Sequence, residues 1–537
     1  MKDTRRTFLK VGGAAATGLL VGARAAPLAA AVGGPSRSSS RAAKAFGIRI
    51  EAARRLHDLP PAVSRSNGDE GRYPGRIASF TKGLPHDALG EVDPHAYEAL
   101  LRAVTSGKAA DYEAVPLGGK LRLVNPQAAL AYVLEGADPH AVAVLPAPAF
   151  DSADLAAEAC ELYWQALTRD IPFALYDTDP LMAAAVTDLS RLPRFREVSA
   201  HTLFRGESAG DRIGPYVSQF LWKEVPYGAI RLVQQPRTAT AGIDYQRTYD
   251  DWLAVQNGAP GNVRHGGAYR YISSARDLAS YVHLDFSYQA FETACLVLFG
   301  MQGTTDAQRP YKGAPWDRGN PYRGSRCQTG FVTFGVAHAL DLVSRVAAGA
   351  LKACWYQKWL VHRTLRPEEL GGRVHQVNAG RARYPLHGDL LDSAALDLVH
   401  RATGSWLLPQ AYPEGAPLHP SYPSGHAAVA GACVTVLKAF FDESFPIDDP
   451  VIASADGGSL LPYRGAALTA GGELDKLASN IAFGRNAAGI HWRSDATAGL
   501  RLGEEVALGL LADMRPCLHE EFAGFSLTRL DGSLVVV

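Results

Sequence analysis

Eight stretches of this 537-residue chain carry apolar residues at helical spacing, and they confine it to a largely α-helical fold. They cover 95–105, 152–169, 275–299, 336–362, 393–403, 426–441, 472–487 and 494–514. Loops rich in Pro, Gly and Tyr separate them, notably 303–330 and 409–423. The tail 525–537 alternates around Asp531-Gly532, which predicts a small β-hairpin. No internal repeat interrupts this pattern. The expected architecture is mainly α, with helical bundles under long loops.

Charge and composition narrow the partners. With 54 basic against 54 acidic side chains, the formal charge is zero, which removes the usual electrostatic case for nucleic acid or an anionic membrane surface. A hydrophobic fraction of 47% is enough for a large core. Beyond the N-terminus no apolar run reaches the ~18 residues of a spanning helix, so no membrane span is expected in the mature chain.

The start of the chain reads as an address. Thr4-Arg5-Arg6-Thr7-Phe8-Leu9-Lys10 precedes a short Gly/Ala/Leu run and then the small residues from Ala25 to Ala31. Paired arginines, a mildly apolar centre and an Ala-rich end are the parts of a twin-arginine export signal. Residues 1–31 are therefore expected to be that signal, 32–76 a linker or N-terminal extension, and 77–537 the helical domain. Export would place the mature protein in the periplasm or outside a bacterial-type cell. The six cysteines form no recognisable framework and no CxxC pair; buried free thiols are expected, above all at Cys295 and Cys433. There is no CxxCH for attached haem and no HExxH zinc helix.

Three segments carry chemistry. The first, Lys358-Trp-Leu-Val-His-Arg-Thr-Leu-Arg366-Pro367-Glu368, puts cations at a helix end. Complementing the helix dipole accounts for Lys358 and Arg363. Arg366 is different: the proline after it forces an extended backbone, and its planar fork suits a tetrahedral oxyanion. The second, His419-Pro420-Ser421-Tyr422-Pro423-Ser424-Gly425-His426, opens a helix with Ser424 as the cap and free N–H groups behind it. His426 has no capping task and suits an acid/base group held against an anion. The third runs from Gly484-Arg485 through Gly489 to His491 and Asp495. A continuous helix would put Arg485 and His491 on different faces, and Gly489 supplies the break that lets them converge.

Singly, each segment has an ordinary structural explanation. Together, Lys-x7-Arg-Pro, Pro-Ser-Gly-His and Arg-x5-His resemble the signature of the vanadium haloperoxidase and type 2 phosphatidic acid phosphatase superfamily. The resemblance implies helix bundles around a phosphate- or vanadate-sized oxyanion. It implies that Lys358, Arg366, Ser424, the Gly425 N–H and Arg485 hydrogen-bond its equatorial oxygens. It also implies that His491 bonds the central metal atom and that His426 faces the apical oxygen.

Such a site supports two chemistries. An exported acid phosphatase would use His491 as nucleophile and His426 as the acid for the leaving group. A haloperoxidase would retain vanadate as a Lewis acid and oxidise halide with hydrogen peroxide, without haem. A non-catalytic oxyanion scavenger is a third possibility, disfavoured because pure binding needs neither His426 nor His491.

The surrounding strings are similar to algal bromoperoxidases, as is the seven-residue Lys–Arg spacing. Trp355 matches a tryptophan lining the halide side of the pocket in several family members, and His419 matches the second histidine that marks bromoperoxidases, so both are expected in the halide or substrate pocket. Asp285, within Tyr281-Val282-His283-Leu284-Asp285-Phe286, would accept a hydrogen bond from His426 and raise its pKa. The resemblance thus implies bromide, with iodide also accepted, small organic acceptors, and a homodimer or larger homo-oligomer. The export signal departs from the algal pattern and points to a bacterial relative.

Overall fold

A computed structural model of the protein describes residues 35–60, 62–261, 266–301 and 315–537. The expected export signal, 1–31, lies outside the described residues, as does 303–314 of the first long loop. The chain divides into two compact units between Leu59 and Pro60.

The first unit holds helix α1, Pro35–Asp58. It lies within the stretch expected to be a linker or N-terminal extension, and 60–76 belongs to the second unit. The Ala, Arg and Glu residues that fill 41–57 are strong helix formers and outweigh the serines before them.

In the second unit the longer helices are α2 (Pro94–Ser106), α3 (Ala153–Thr168), α4 (Pro180–Leu189), α5 (Tyr249–Gln256), α6 (Ala275–Leu284), α7 (Gln289–Gly300), α8 (Val336–Tyr356), α9 (Pro367–Asn378), α10 (Ala394–Thr403), α11 (Gly425–Phe440), α12 (Ala470–Ala487) and α13 (Arg493–Met514). Among the described residues the paired strands are three antiparallel pairs: Val225–Tyr227 with Ile230–Leu232, Val451–Ala453 with Leu460–Pro462, and Ser526–Thr528 with Leu534–Val536. The last is the expected hairpin, with Ser526 opposite Val536.

The main core lies among α8, α11, α12 and α13. Val429, Cys433, Val436, Leu437 and Phe440 of α11 share it with Val343 and Val346 of α8 and Leu502, Val506 and Leu510 of α13. Each such side chain contributes roughly 1.5–3 kcal/mol by leaving water.

Helices α11 and α13 approach backbone to backbone. A Cβ on Gly431 would lie 2.0 Å from the Leu500 carbonyl, and one on Gly503 would lie 1.9 Å from the Ala428 carbonyl. Gly499 meets Ser424 and Gly503 meets Ala428 and Ala432, so the two helices run in the same direction. Their N-termini therefore open at one end of the bundle, where unpaired amides and helix dipoles favour an anion.

Two expected helices are interrupted. The stretch 275–299 breaks into α6 and α7, with Asp285 extended between them at φ −71°, ψ 155°. The stretch 336–362 continues past α8 as a wide π-helical turn, Gln357–His362, which stops at Arg363 in the left-handed region, φ 40°. Such turns recur where a helix must re-aim a functional side chain.

Cys160, Cys295, Cys354 and Cys433 are buried free thiols, while Cys327 and Cys517 are free and exposed.

Candidate active site

The three signature segments meet at the open end of the bundle. The π-helical turn carries Lys358 inward, and its ammonium donates to the Pro420 and Ser421 carbonyls at 2.7 and 2.6 Å. Arg366 stands extended at φ −84°, ψ 156°, directly before the proline that starts α9. Its side chain is fully buried. Nε donates to the His419 carbonyl at 3.0 Å and Nη1 to the Ile490 carbonyl at 2.9 Å. Nη1 also reaches His491 Nε2 at 2.9 Å, and Nη2 reaches His419 Nδ1 at 2.9 Å.

Helix α12 delivers Arg485 in its last turn. Gly489, at φ +85°, then turns the chain so that His491 comes back beneath Arg366. Arg485 Nη1 donates to the Val282 carbonyl at 2.6 Å, its guanidinium lies 5.5 Å over the Tyr412 ring, and its buried Nε has no partner among the described residues. Ser424 caps α11: its hydroxyl accepts from Ala427 N–H at 3.4 Å, and its own N–H donates to the Asp495 carbonyl at 2.9 Å. The first-turn amides of Gly425 and His426 follow, with no carbonyl ahead of them in the helix.

Hydrogen bonding fixes the state of His491. A guanidinium can only donate, so Nε2 accepts from Arg366 and carries a lone pair. The proton sits on Nδ1, which donates to Asp495 Oδ2 at 2.7 Å. Burial, and then the charges of Arg366, Lys358 and Arg485, hold the His491 pKa well below the usual histidine value, so the ring is neutral. His419 is held neutral in the same way, by burial and by Arg366 and Lys358. Burial also lowers Lys358 well below an ordinary lysine, with Arg366 and Arg485 pushing the same way. Arg366 comes down to about 10, chiefly through burial, and remains charged at neutral pH.

His426 occupies a different corner. Its Nε2 lies 3.1 Å from Asp285 Oδ1, with 28% of the imidazole exposed against 5% of the carboxylate. Among the described residues no hydrogen bond joins it to Arg366 or His491; it feels the cluster through the charges of Arg485 and Lys358. Asp285 raises its pKa as expected, yet the net shift is downward. Burial, then Arg485, lower it, and Asp285 opposes them without prevailing.

Trp355 stands against His419 with ring centroids 4.8 Å apart, and its indole N–H donates to the Val124 carbonyl at 3.2 Å. Its ring also lies over the start of α11, where a Cβ on Gly425 would be 3.3 Å from Cζ3.

The chain resembles known proteins along nearly its whole length. The sequence pattern of the VCPO second helical-bundle domain matches residues 340–518. A vanadium-dependent bromoperoxidase of Corallina pilulifera is 36% identical, over 93% of this chain and 98% of the relative. One from Ascophyllum nodosum is 35% identical, over 92% of this chain and 90% of its own length. The chain belongs to the vanadium-dependent haloperoxidase family. Its fold agrees: the homohexameric structure of the second vanadate-dependent bromoperoxidase of Ascophyllum nodosum superposes with a TM-score of 0.87 at 30% identity, covering 94% of this chain and 93% of that one.

For a haloperoxidase, the donor set suits an oxyanion. Arg366 and Arg485 supply fixed positive charge, Lys358 has a pKa lowered to about 7 that a bound anion would raise, and the Asp495 carboxylate among them is already engaged by His491 and Ser421. The orphaned Arg485 Nε and the α11 amides are donors left to spend on a ligand. No group of three or more His, Cys, Asp and Glu side chains able to hold a bare cation occurs among the described residues.

Asp495 has a task that the signature does not give it: it holds His491 and Ser421. Its position four residues after His491, on the first turn of α13, was the available signal. Ser421, which donates to the same carboxylate, and the Val124 carbonyl carried no local signal.

Proposed function

We propose that this protein is a vanadate-dependent haloperoxidase that oxidises bromide, and also iodide, with hydrogen peroxide to a hypohalous equivalent that halogenates small organic acceptors. The observation that carries this reading is the neutral His491, its Nδ1–H fixed on Asp495 and its Nε2 lone pair turned into a nest of Lys358, Arg366 and Arg485. Vanadate, held by Lys358, Arg366, Ser424, the Gly425 N–H, Arg485 and His491, would supply a Lewis-acid centre that activates peroxide towards halide.

The protein's own groups then have separate tasks. The three cations stabilise negative charge in a site that water scarcely reaches. The overall reaction, H2O2 + Br− + H+ → HOBr + H2O, consumes a proton. His426 is the group to move it: with Nε2–H donated to Asp285, its Nδ1 is the proton acceptor, and its depressed pKa keeps it neutral and ready. Trp355 and His419 wall the halide side. The phosphatase alternative is not favoured, because the relatives matched along nearly the full length are bromoperoxidases.

We also infer export by the twin-arginine route, on residues 1–31, and a periplasmic or extracellular location. No helix among the described residues is long and apolar enough to cross a membrane. A homo-oligomer is proposed too. A homohexameric relative supports it, and Tyr132, Leu134 and Leu145, which are 81%, 96% and 74% exposed, offer apolar surface.

The test uses full-length, metal-stripped protein with peroxide, bromide and a dimedone-type acceptor, before and after adding orthovanadate. Bromination that appears only with vanadate and follows bromide is expected. Hydrolysis of p-nitrophenyl phosphate that vanadate inhibits, without bromination, would overturn the reading.

A further inference from the structure

A second set of buried polar and charged side chains, Thr81, Lys82, Glu368 and Glu369, stands directly behind Arg366 and is given no part in holding the oxyanion by the signature. Thr81 and Lys82 come from the loop before α2, and Glu368 and Glu369 open α9. Adjacent residues pair with adjacent residues. The Thr81 N–H and hydroxyl both donate to Glu369 Oε1, at 2.8 and 2.9 Å. Lys82 Nζ meets Glu368 Oε1 at 2.5 Å.

Each carboxylate has a second oxygen, and those two reach the active site's framework. Glu369 Oε2 accepts the backbone N–H of Arg366 at 2.6 Å. Glu368 Oε2 accepts the Ala416 N–H at 2.8 Å, while Lys82 donates to the Glu414 and Ala416 carbonyls at 2.6 Å each. The 414–416 loop leads directly into His419, which the Arg366 side chain grips from the other side. The four residues thus tie the main chain of Arg366 to the loop that carries His419.

Stability alone does not call for this arrangement. All four side chains are buried, and a buried ion pair gains little over well-packed apolar groups once desolvation is counted. A helix start needs one cap, not two carboxylates and a lysine out of water.

We propose that Thr81, Lys82, Glu368 and Glu369 are positioning residues that clamp Arg366 and the 414–419 loop at a fixed separation and so set the width of the oxyanion site. The proposal rests on Arg366 being an oxyanion ligand. A glutamine at 369 breaks the clamp with little change of shape: its single acceptor oxygen cannot serve both Thr81 and Arg366, and its amide would face an N–H.

The experiment is equilibrium dialysis of orthovanadate against the metal-stripped full chain, with thermal unfolding measured on each variant. Glu369→Gln is expected to weaken vanadate binding about 10- to 100-fold, the effect of losing an outer partner of a ligand. Thr81→Val should weaken it less, and Thr81→Ser, which keeps the hydroxyl, should restore it. Lys438→Met is the control, since Lys438 is another buried lysine, 2.9 Å from Asp475. It should lower Tm and leave vanadate binding unchanged. Wild-type affinity in Glu369→Gln, or an equal loss of affinity per degree of Tm in Lys438→Met, would overturn the proposal. If Glu369→Gln does not fold, the Thr81 pair carries the same test. A crystal structure of the better-folded clamp variant gives a readout that needs no vanadate. A shifted Arg366 main chain supports the clamp, an unmoved one overturns it, and a wild type that binds no vanadate counts against the proposed function alone.

Discussion

The corner around Arg366 and His491 and the corner around His426 and Asp285 share one site but differ in how far each side chain is committed. Arg366 is wholly buried, and its three guanidinium nitrogens are engaged by His419, Ile490 and His491. Asp495 holds His491, Ser421 and the Trp492 N–H through one oxygen. His426 has one side-chain partner, a partly exposed ring, and a carboxylate set at a break between two helices. A group that must hold a ligand still is best fixed by buried partners and kept dry; one that must exchange protons needs slack and a path to water. On this reading the first corner retains the cofactor and the second turns it over.

Four substitutions test that division. His491→Ala should have the largest effect, removing vanadate retention and bromination together, measured by dialysis and by turnover of a dimedone-type acceptor. Retained vanadate in that variant would break the comparison at its root. His426→Ala should lower bromination by about 10²–10⁴-fold while vanadate stays bound. Simultaneous loss of both would make His426 structural. Asp495→Asn, which takes away the charge that fixes the His491 proton, should weaken vanadate binding about 10- to 100-fold. Asp285→Asn should be mildest. Asp285 holds the His426 pKa up against burial and Arg485, so removing its charge lets that pKa fall further. The neutral ring then persists to lower pH, and the acid limb of the kcat/KM profile should move to lower pH. An unmoved limb would mean that another group sets the titration.

Much of this was legible in the sequence, and the exceptions share a cause. Helical spacing located α8, α11, α12 and α13, and Gly489 announced the turn that brings Arg485 and His491 together. The break at Asp285 was not legible, because no Gly or Pro marks it. It arises from tertiary demand, since an unbroken helix would not present that carboxylate, extended, to His426. Glu369 had a local signal, three residues after Arg366, the spacing of a reciprocal helix cap. Lys82 had none, because its partner lies far along the chain. The net direction of the His426 pKa was out of reach for the same reason: the pairing with Asp285, and the rise it causes, could be read, the burial and the opposing arginine could not.

The placement of sulfur has a consequence for working life. An enzyme that releases hypobromite is the first protein its product meets, and thiols and thioethers react with such oxidants readily. Four of the six cysteines are sealed in the core, and only four methionines occur in 537 residues. Cys327 and Cys517 stand outside. Prolonged turnover should therefore corrode the molecule from its surface, with peptide mapping finding sulfonic acid at those two positions long before the thiols packed around α11 are touched.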